Sequence, residues 1–195
     1  MIAKGNLLRE LADKNLGINA TKTDKQAILA LVTQLEERNP HPKPLEVPQL
    51  LDGNWRLLYT TSKELLGLNN IPLFQVKNIY QCIRVRDTTI YNIAEISGLP
   101  FLEGIVSVAA RFETVGDRRV NVRFDRAISG LQRLISYESP NSFIQQIESG
   151  KKFAAIDFQI TAREQRGWLD ITYLDETMRL GRGNEGSIFV LEKVG

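Results

Sequence analysis

Residues 53–62 read GNWRLLYTTS, and they mark a change in the hydrophobic period of the chain. Side chains at every second position of an extended strand point to the same face, so Trp55, Leu57 and Tyr59 share one face of this run. Aromatic and β-branched residues also favour strands. The run therefore predicts a β-strand.

Comparable runs, separated by turn residues, continue along the rest of the chain. Gly116-Asp117, Arg166-Gly167 and residues 183–186 tolerate the positive φ of tight hairpins, which indicates mostly antiparallel order. Sheets of this kind close into a barrel or stack as a sandwich, and alternation alone leaves both open. The main runs are 53–62, 75–86, 89–97, 104–115, 118–126, 152–162, 168–175 and 186–192, and two shorter runs, at 177–181 and near 131–137, are further candidates. We expect about eight or nine strands in all.

Residues 1–38 show helical spacing instead and predict an N-terminal helical hairpin. Thr23 and Gln26 fit a capping box at the start of its second helix. Pro40, Pro42 and Pro44 end the helical pattern and predict a semi-rigid linker over 39–50, which leaves 51–195 for the β domain. The apolar face of the hairpin either packs on that domain or contacts a membrane or partner.

A further helix interrupts the strands at residues 139–148. Ser139 is a good N-cap, Pro140 suits the first helical position, and Gly150 would end the helix. This helix is either a plain connector or a lid over one barrel mouth.

Composition narrows the class of protein. The chain has 195 residues, 43% of them hydrophobic, which suits one main globular domain. A net charge of +2 is too small for a nucleic-acid partner, and Asp117 and Asp125 interrupt the arginine-rich stretch from Arg118 to Arg133. No apolar run approaches the roughly 20 residues that span a bilayer, so we expect any membrane contact to be peripheral.

The residues that catalysis requires are scarce. The only histidine, His41, lies in the proline linker, and the only cysteine, Cys82, has no histidine partner nearby in sequence. No phosphate-binding loop or HExxH motif is present. We expect no catalytic residue, no metal site, no required cofactor and no enzymatic activity.

A barrel interior is the better candidate for function. An eight-stranded barrel is just wide enough to be filled by side chains or to hold one small ligand, and the sequence leaves both open. Small residues such as Ala110 and Ala154 favour a cavity. Alternation gives these candidate interior, ligand-binding residues: Leu57, Tyr59, Val108, Ala110, Phe112, Ile156 and Phe158.

Three stretches resemble one known family. They are Leu35-Glu36 with the proline linker, LDGNWRLLYTTS at 51–62, and YLDETMRLGRGNEGSIFVL at 173–191. Together they resemble the plastid-lipid-associated protein (PAP, fibrillin) family over nearly the whole chain. The resemblance implies a lipocalin-like barrel, association with carotenoids and quinones, and a role in stress protection at thylakoids and lipid globules.

The same resemblance implies a structural seal at one barrel end. In lipocalins a Gly-x-Trp motif on the first strand closes the narrow end, and an arginine near the last strand covers the indole. Gly53 and Trp55 match that motif, and Arg179 or Arg182 would supply the guanidinium.

Partners and location follow from the resemblance as expectations. The main expectation is a lipophilic small molecule held in the barrel; the alternative is a scaffold at lipid surfaces, or for a partner enzyme of lipid or quinone metabolism, with no internal ligand. The plastid members carry a transit peptide and this sequence shows none, so it resembles a version from a photosynthetic prokaryote. That places it in the cytoplasm or peripherally on the cytoplasmic face of thylakoid membranes.

Overall fold

This computed structural model describes residues 2–67, 75–98, 102–161 and 166–195 of the chain. These residues contain nine strands and six α-helices. The strands are β1 Gly53–Thr60, β2 Gln75–Arg84, β3 Thr89–Ser97, β4 Gly104–Val115, β5 Arg119–Leu131, β6 Ile156–Gln159, β7 Arg166–Leu174, β8 Met178–Gly183 and β9 Ile188–Val194. The helices are α1 Ile2–Leu11, α2 Lys22–Glu36, α3 Pro48–Leu51, α4 Lys63–Gly67, α5 Gln132–Ile135 and α6 Pro140–Glu148, with 3-10 turns at Pro44–Glu46 and Asn184–Gly186.

Eight of the strands close into an antiparallel barrel. The ring runs β1-β2-β3-β4-β5-β7-β8-β9 and returns to β1 through the pairing of β1 with β9. One edge of β5 pairs with β4, while its other edge pairs first with β7 and then, from Arg126 to Ser129, with β6. The predicted mostly-β barrel is confirmed, and β6 is an extra strand outside the ring.

Two predicted strands differ from the observed elements. The run near 131–137 is the short helix α5, which ends at Ser136 in a left-handed conformation (φ 57°). A single helical turn buries Ile135 as well as a strand would, so a pattern this short does not separate the two. The strand expected at 152–162 is only Ile156–Gln159, and residue 162 lies outside the described residues.

Alternation along the strands divides the apolar residues between the inside and the outside of the barrel. On β3, Ile90 and Ala94 join the interior core, whereas Tyr91 and Ile93 join a cluster on the outer surface. The buried residues of the interior core are Leu51, Trp55, Leu57, Val76, Ile79, Ile83, Ile90, Ala94, Phe112, Val120, Ile171, Leu174 and Leu191.

The helical hairpin packs on the outer face of the barrel. Leu7 of α1 and Ile28 and Val32 of α2 are fully buried against the outward side chains of β1, β7, β8 and β9. The capping box of α2 uses Thr21 and Asp24 rather than Thr23 and Gln26. The Asp24 carboxylate accepts the Thr21 backbone N–H at 2.8 Å, so the helix begins at Lys22, before the residue that we predicted as its cap.

Helix α6 begins with the predicted Ser139 cap and Pro140 at its first turn. Its buried residues Phe143 and Ile144 pack with Cys82 and Tyr91 in the second outer cluster. It therefore covers the outer wall formed by β2 to β5, and it is not a lid over a barrel mouth.

Asp175 fastens α1 to the turn between β7 and β8. Its carboxylate lies 2.6 Å from Lys4 Nζ and accepts hydrogen bonds from the Tyr173 hydroxyl and from the backbone N–H groups of Thr177 and Met178. Burial alone would raise the pKa of this carboxyl, but these four donors outweigh burial and lower the pKa to about 2.

We expect Asp175→Asn to lower the free energy of unfolding at pH 7 by about 1–2 kcal/mol, because the amide cannot hold the lysine and the other donors equally well. A carboxyl with a depressed folded-state pKa stabilises the fold above its unfolded pKa, and that stability is lost as the pH falls through the folded pKa. The difference between variant and parent should therefore shrink between about pH 4 and pH 2. Urea unfolding across this range measures it, with the 78%-exposed Asp13 as the control in Asp13→Asn. A constant difference down to pH 2 would contradict the prediction.

A cavity inside the barrel as candidate ligand site

The strands surround a cavity of about 480 Å³ that opens to solvent, here called the main cavity. This volume lies within the roughly 300–1,000 Å³ that small-molecule sites occupy. Most of its lining is apolar, from Leu57, Leu65, Ile79, Ile90, Val108, Val122, Phe124, Trp168, Leu169, Phe189 and Leu191, and the polar lining comes from Ser62, Gln81, Asn92, Asn184 and Ser187. The described side chains therefore leave this part of the barrel interior unfilled.

A small cavity of about 40 Å³ lies beside it, and Ile90 and Leu169 line both. Leu45, Pro48 and Leu51 of the proline linker and α3 close the small cavity on one side. The linker thus acts as the plug of one barrel end.

Trp55, the predicted seal residue, lies at this plugged end. It is fully buried, and its indole Nε1 donates to the carbonyl of Leu51 at 2.8 Å. The Arg179 guanidinium lies 5.1 Å from the ring centre and Lys193 Nζ lies 5.2 Å from it. Both cations are within the range of cation–π attraction to the indole.

Arg179 is a buried charge without a counterion in the described part of the chain. Its side chain is 1% exposed, its Nη2 donates to Gln81 Oε1, and its Nε has no partner there. Burial lowers the pKa of the guanidinium to about 9, which leaves it protonated at neutral pH.

A polar strip connects this arginine to the main cavity. Gln81 accepts from Arg179 and donates through Nε2 to Asn92 Oδ1 at 3.1 Å. Gln81 and Asn92 both line the main cavity. These three residues are called the Arg179–Gln81–Asn92 strip below.

Four of the predicted ligand-binding residues lie inside the barrel. Leu57 and Val108 line the main cavity, and Phe112 lines the small one. Ala110 is buried and pairs with Ile90 and Phe124, two residues of the cavity lining. Their role in ligand binding stays a prediction.

Tyr59 does not face the interior as predicted. A β-bulge between Leu57 and Tyr59 shifts the register of β1 against β9, so Tyr59 pairs with Val190. Both residues belong to the outer cluster beneath the helical hairpin. An extra residue in one strand reverses the faces beyond it, which simple alternation does not anticipate.

The interior placement of Ile156 and Phe158 is also wrong. Their side chains are 67% and 54% exposed. They lie on β6, which pairs only with β5 and is outside the closed ring. Neither face of such a strand looks into the barrel.

The two candidate seal arginines have separate roles. Arg179 lies over Trp55, whereas Arg182 forms a two-pronged ion pair with Glu36 of α2, at 2.8 and 2.7 Å, and so ties the hairpin to β8. Gly53 begins β1 with φ 120°, and a side chain there would meet Lys193 at 3.1 Å. Glycine is therefore required where the linker enters the barrel.

The polar strip is the feature that our sequence interpretation missed. Gln81 lies between the interior residues Ile79 and Ile83, and Asn92 lies between Ile90 and Ala94. A polar residue in the middle of an apolar alternation was the available signal. The cavity-lining aromatic residues Phe124, Trp168 and Phe189 were missed as well.

The structure also shows how the metal-ligating and thiol side chains are placed. No group of three or more His, Cys, Asp or Glu residues there is placed to hold a metal ion. Cys82 is buried, and burial raises the pKa of its thiol to about 12, which suppresses the thiolate. None of the described helices combines the length and apolar character needed to cross a membrane.

Comparisons with known proteins agree on one family. The family model PAP_fibrillin matches residues 1–192. The chain is 32% identical to a light-induced chloroplast protein of Solanum tuberosum, an alignment that covers 97% of this chain and 67% of the relative. No solved structure matches the chain significantly.

Two further relatives have descriptive names. A chromoplast-specific carotenoid-associated protein of Cucumis sativus is 32% identical, over 92% of this chain and 63% of its own length. Plastoglobulin-1 of Pisum sativum is 32% identical, over 98% of this chain and 61% of its own length. The chain thus spans about two thirds of the curated relatives that it matches. On the match over residues 1–192 and these identities, the chain belongs to the PAP/fibrillin family of plastid-lipid-associated proteins.

Proposed function

We propose that this protein holds one lipophilic small molecule, a quinone, a carotenoid or a lipid, in the main cavity of its barrel. The observation that carries the proposal is a cavity of about 480 Å³ with a mostly apolar lining. Empty apolar space on this scale costs packing energy that a filled core would recover, so its presence favours a ligand.

The family context supports an association with lipid. One relative is named for carotenoid association and another is a plastoglobulin. We propose that the chain works at the periphery of photosynthetic membranes or lipid globules, on their cytoplasmic side, and contributes to stress protection there. A partner enzyme of lipid or quinone metabolism fits the same proposal.

Binding also suits the chemistry of the interior better than catalysis does. The cavity lining contains no histidine, cysteine or carboxylate among the described side chains. General acid–base or nucleophilic catalysis requires such groups within reach of the substrate. We therefore propose a carrier or sensor and not an enzyme.

The direct test is native mass spectrometry, with organic extraction, of protein purified from a photosynthetic host. A stoichiometric lipophile released by extraction would support the proposal and name the ligand. Protein that is empty after purification and takes up no lipophile on addition would refute it.

Leu57→Trp is expected to weaken uptake of a fluorescent lipophile by at least about tenfold, because the indole would occupy the cavity beside Leu191. Fluorescence displacement measures the change. The control is Leu29→Trp, on the exposed side of α2, which should bind like the parent. Unchanged uptake by a folded Leu57→Trp protein would remove the geometric basis of the proposal.

A second function, a scaffold at lipid surfaces, is favoured by the outer strand. Ile156 and Phe158 expose large apolar side chains on β6, and Lys151 and Lys152 lie just before it in the chain. Apolar anchors beside basic residues suit a surface of anionic lipids. An empty protein that floats with anionic liposomes, and no longer floats after Ile156→Ser and Phe158→Ser, would support this function instead.

A further inference from the structure

The interior charge of the barrel points to one class of ligand. Resting on the proposed function, we propose that the main cavity takes a long-chain fatty acid, with its carboxylate at the Arg179–Gln81–Asn92 strip and its hydrocarbon chain along the apolar walls.

The first step is the charge balance. A buried cation is costly unless it is paired, and the buried Arg179 has neither an ion pair nor a partner for its Nε within the described ranges. Lys193 adds a second positive charge near the same indole, 5.2 Å from the Trp55 ring centre. Both cavities lack a lining carboxylate among the described side chains. An anionic head group would therefore meet no carboxylate in the described lining of either cavity.

The second step is the direction of the hydrogen bonds. An arginine only donates, so Gln81 must present Oε1 to Arg179 and Nε2 to Asn92. Asn92 accepts that bond through Oδ1, which leaves its Nδ2 hydrogens for another acceptor. No group in the described ranges accepts a hydrogen bond from them. The strip therefore presents a donor to the main cavity, polarised by the charge behind it.

The third step compares the lipophilic classes. A hydrocarbon carotenoid offers no acceptor to Asn92 and leaves Arg179 uncompensated. A quinone carbonyl can accept from Asn92, yet it carries no charge. A carboxylate accepts from Asn92 and also carries the negative charge that compensates Arg179. Its hydrogen bonds are charge-assisted, and such bonds are about twice as strong as neutral ones. The apolar walls, including Leu57, Val108 and Phe124, suit the acyl chain.

The experiment compares a fluorescent polyene fatty acid with its methyl ester, which has the same chain and no charge. We expect the parent protein to bind the acid at least about tenfold more tightly than the ester at pH 7.5. Fluorescence titration below the concentration at which the probes aggregate measures both affinities.

Gln81→Glu then places a carboxylate against Arg179 at almost unchanged volume. We expect this variant to bind the acid at least about tenfold more weakly than the parent, and to lose more affinity for the acid than for the ester. The matched control is Gln159→Glu, the same charge change on the exposed outer strand, which should keep the preference for the acid.

Each outcome has a separate meaning. Equal binding of acid and ester by the parent would overturn the fatty-acid inference and leave the proposed carrier function standing. A parent that binds neither probe and no quinone or carotenoid would refute both. If Gln81→Glu does not fold, Asn92→Leu replaces it. This variant removes the donor without adding charge, so it should weaken binding of the acid more than binding of the ester. An unchanged preference for the acid would overturn the inference.

Discussion

Replacing Trp55 with alanine is expected to lower the free energy of unfolding by about 3–5 kcal/mol, the usual cost of truncating a fully buried large aromatic residue. The indole lies at the plugged end of the barrel, donates to Leu51 and has two cations within about 5 Å of its ring centre. Its removal would deprive both Arg179 and Lys193 of their cation–π partner. Urea unfolding followed by circular dichroism measures the loss.

Trp168→Ala is the matched control. Trp168 is only partly buried on β7 and stacks against Arg119, 4.1 Å from its ring centre. We expect Trp168→Ala to lower the free energy of unfolding by about 1 kcal/mol, the contribution of an exposed cation–π contact. A Trp55→Ala protein that unfolds at the same urea concentration as the parent would refute the seal.

Phe143→Ala is expected to lower the free energy of unfolding by a similar amount, about 3–5 kcal/mol, although Phe143 lies outside the barrel. Phe143 is fully buried between α6 and the barrel wall, with its ring centre 5.6 Å from that of Tyr137 and 5.2 Å from that of Phe153. Its loss would leave a void that neither ring can fill without moving. Thermal and urea unfolding of the variant check the value.

Leu134→Ala tests whether the stability loss of Phe143→Ala arises from the burial of Phe143 and not from truncating any side chain near α6. Leu134 is 53% exposed on the adjacent helix α5, so its truncation should change stability by no more than about 0.5 kcal/mol. Similar losses in both variants would show that the outer cluster is not the source of stability assigned to it.

The architecture was largely predictable from the sequence, because strands and helices impose different hydrophobic periods. Residues 104–115 match β4 at both ends, and Ser139 and Pro140 begin α6 as predicted. The closure of the ring was implied only by the family resemblance, since a sandwich would show the same alternation.

The candidate site was less predictable, for two physical reasons. A bulge after Leu57 reverses the face of Tyr59, and local sequence gives no measure of where one strand gains a residue over its partner. The exclusion of Ile156 and Phe158 depends on which edge of β5 is already occupied by β7, which is a long-range property. Gln81 and Asn92, in contrast, are visible in the sequence as polar interruptions of apolar strands.

The pairing of β1 with β9 has a consequence for how the protein is made. Asn54 lies opposite Val194, so a ribosome has to deliver every other strand before the ring can close. Until then β1 has an unpaired backbone edge, which is the kind of surface that captures strands of other chains. Contacts so distant in sequence also slow folding. The interval between synthesis of β1 and arrival of β9 is therefore when aggregation competes most strongly with folding, and the early helical hairpin, which buries part of the outer face of β1, gives that strand its first local cover.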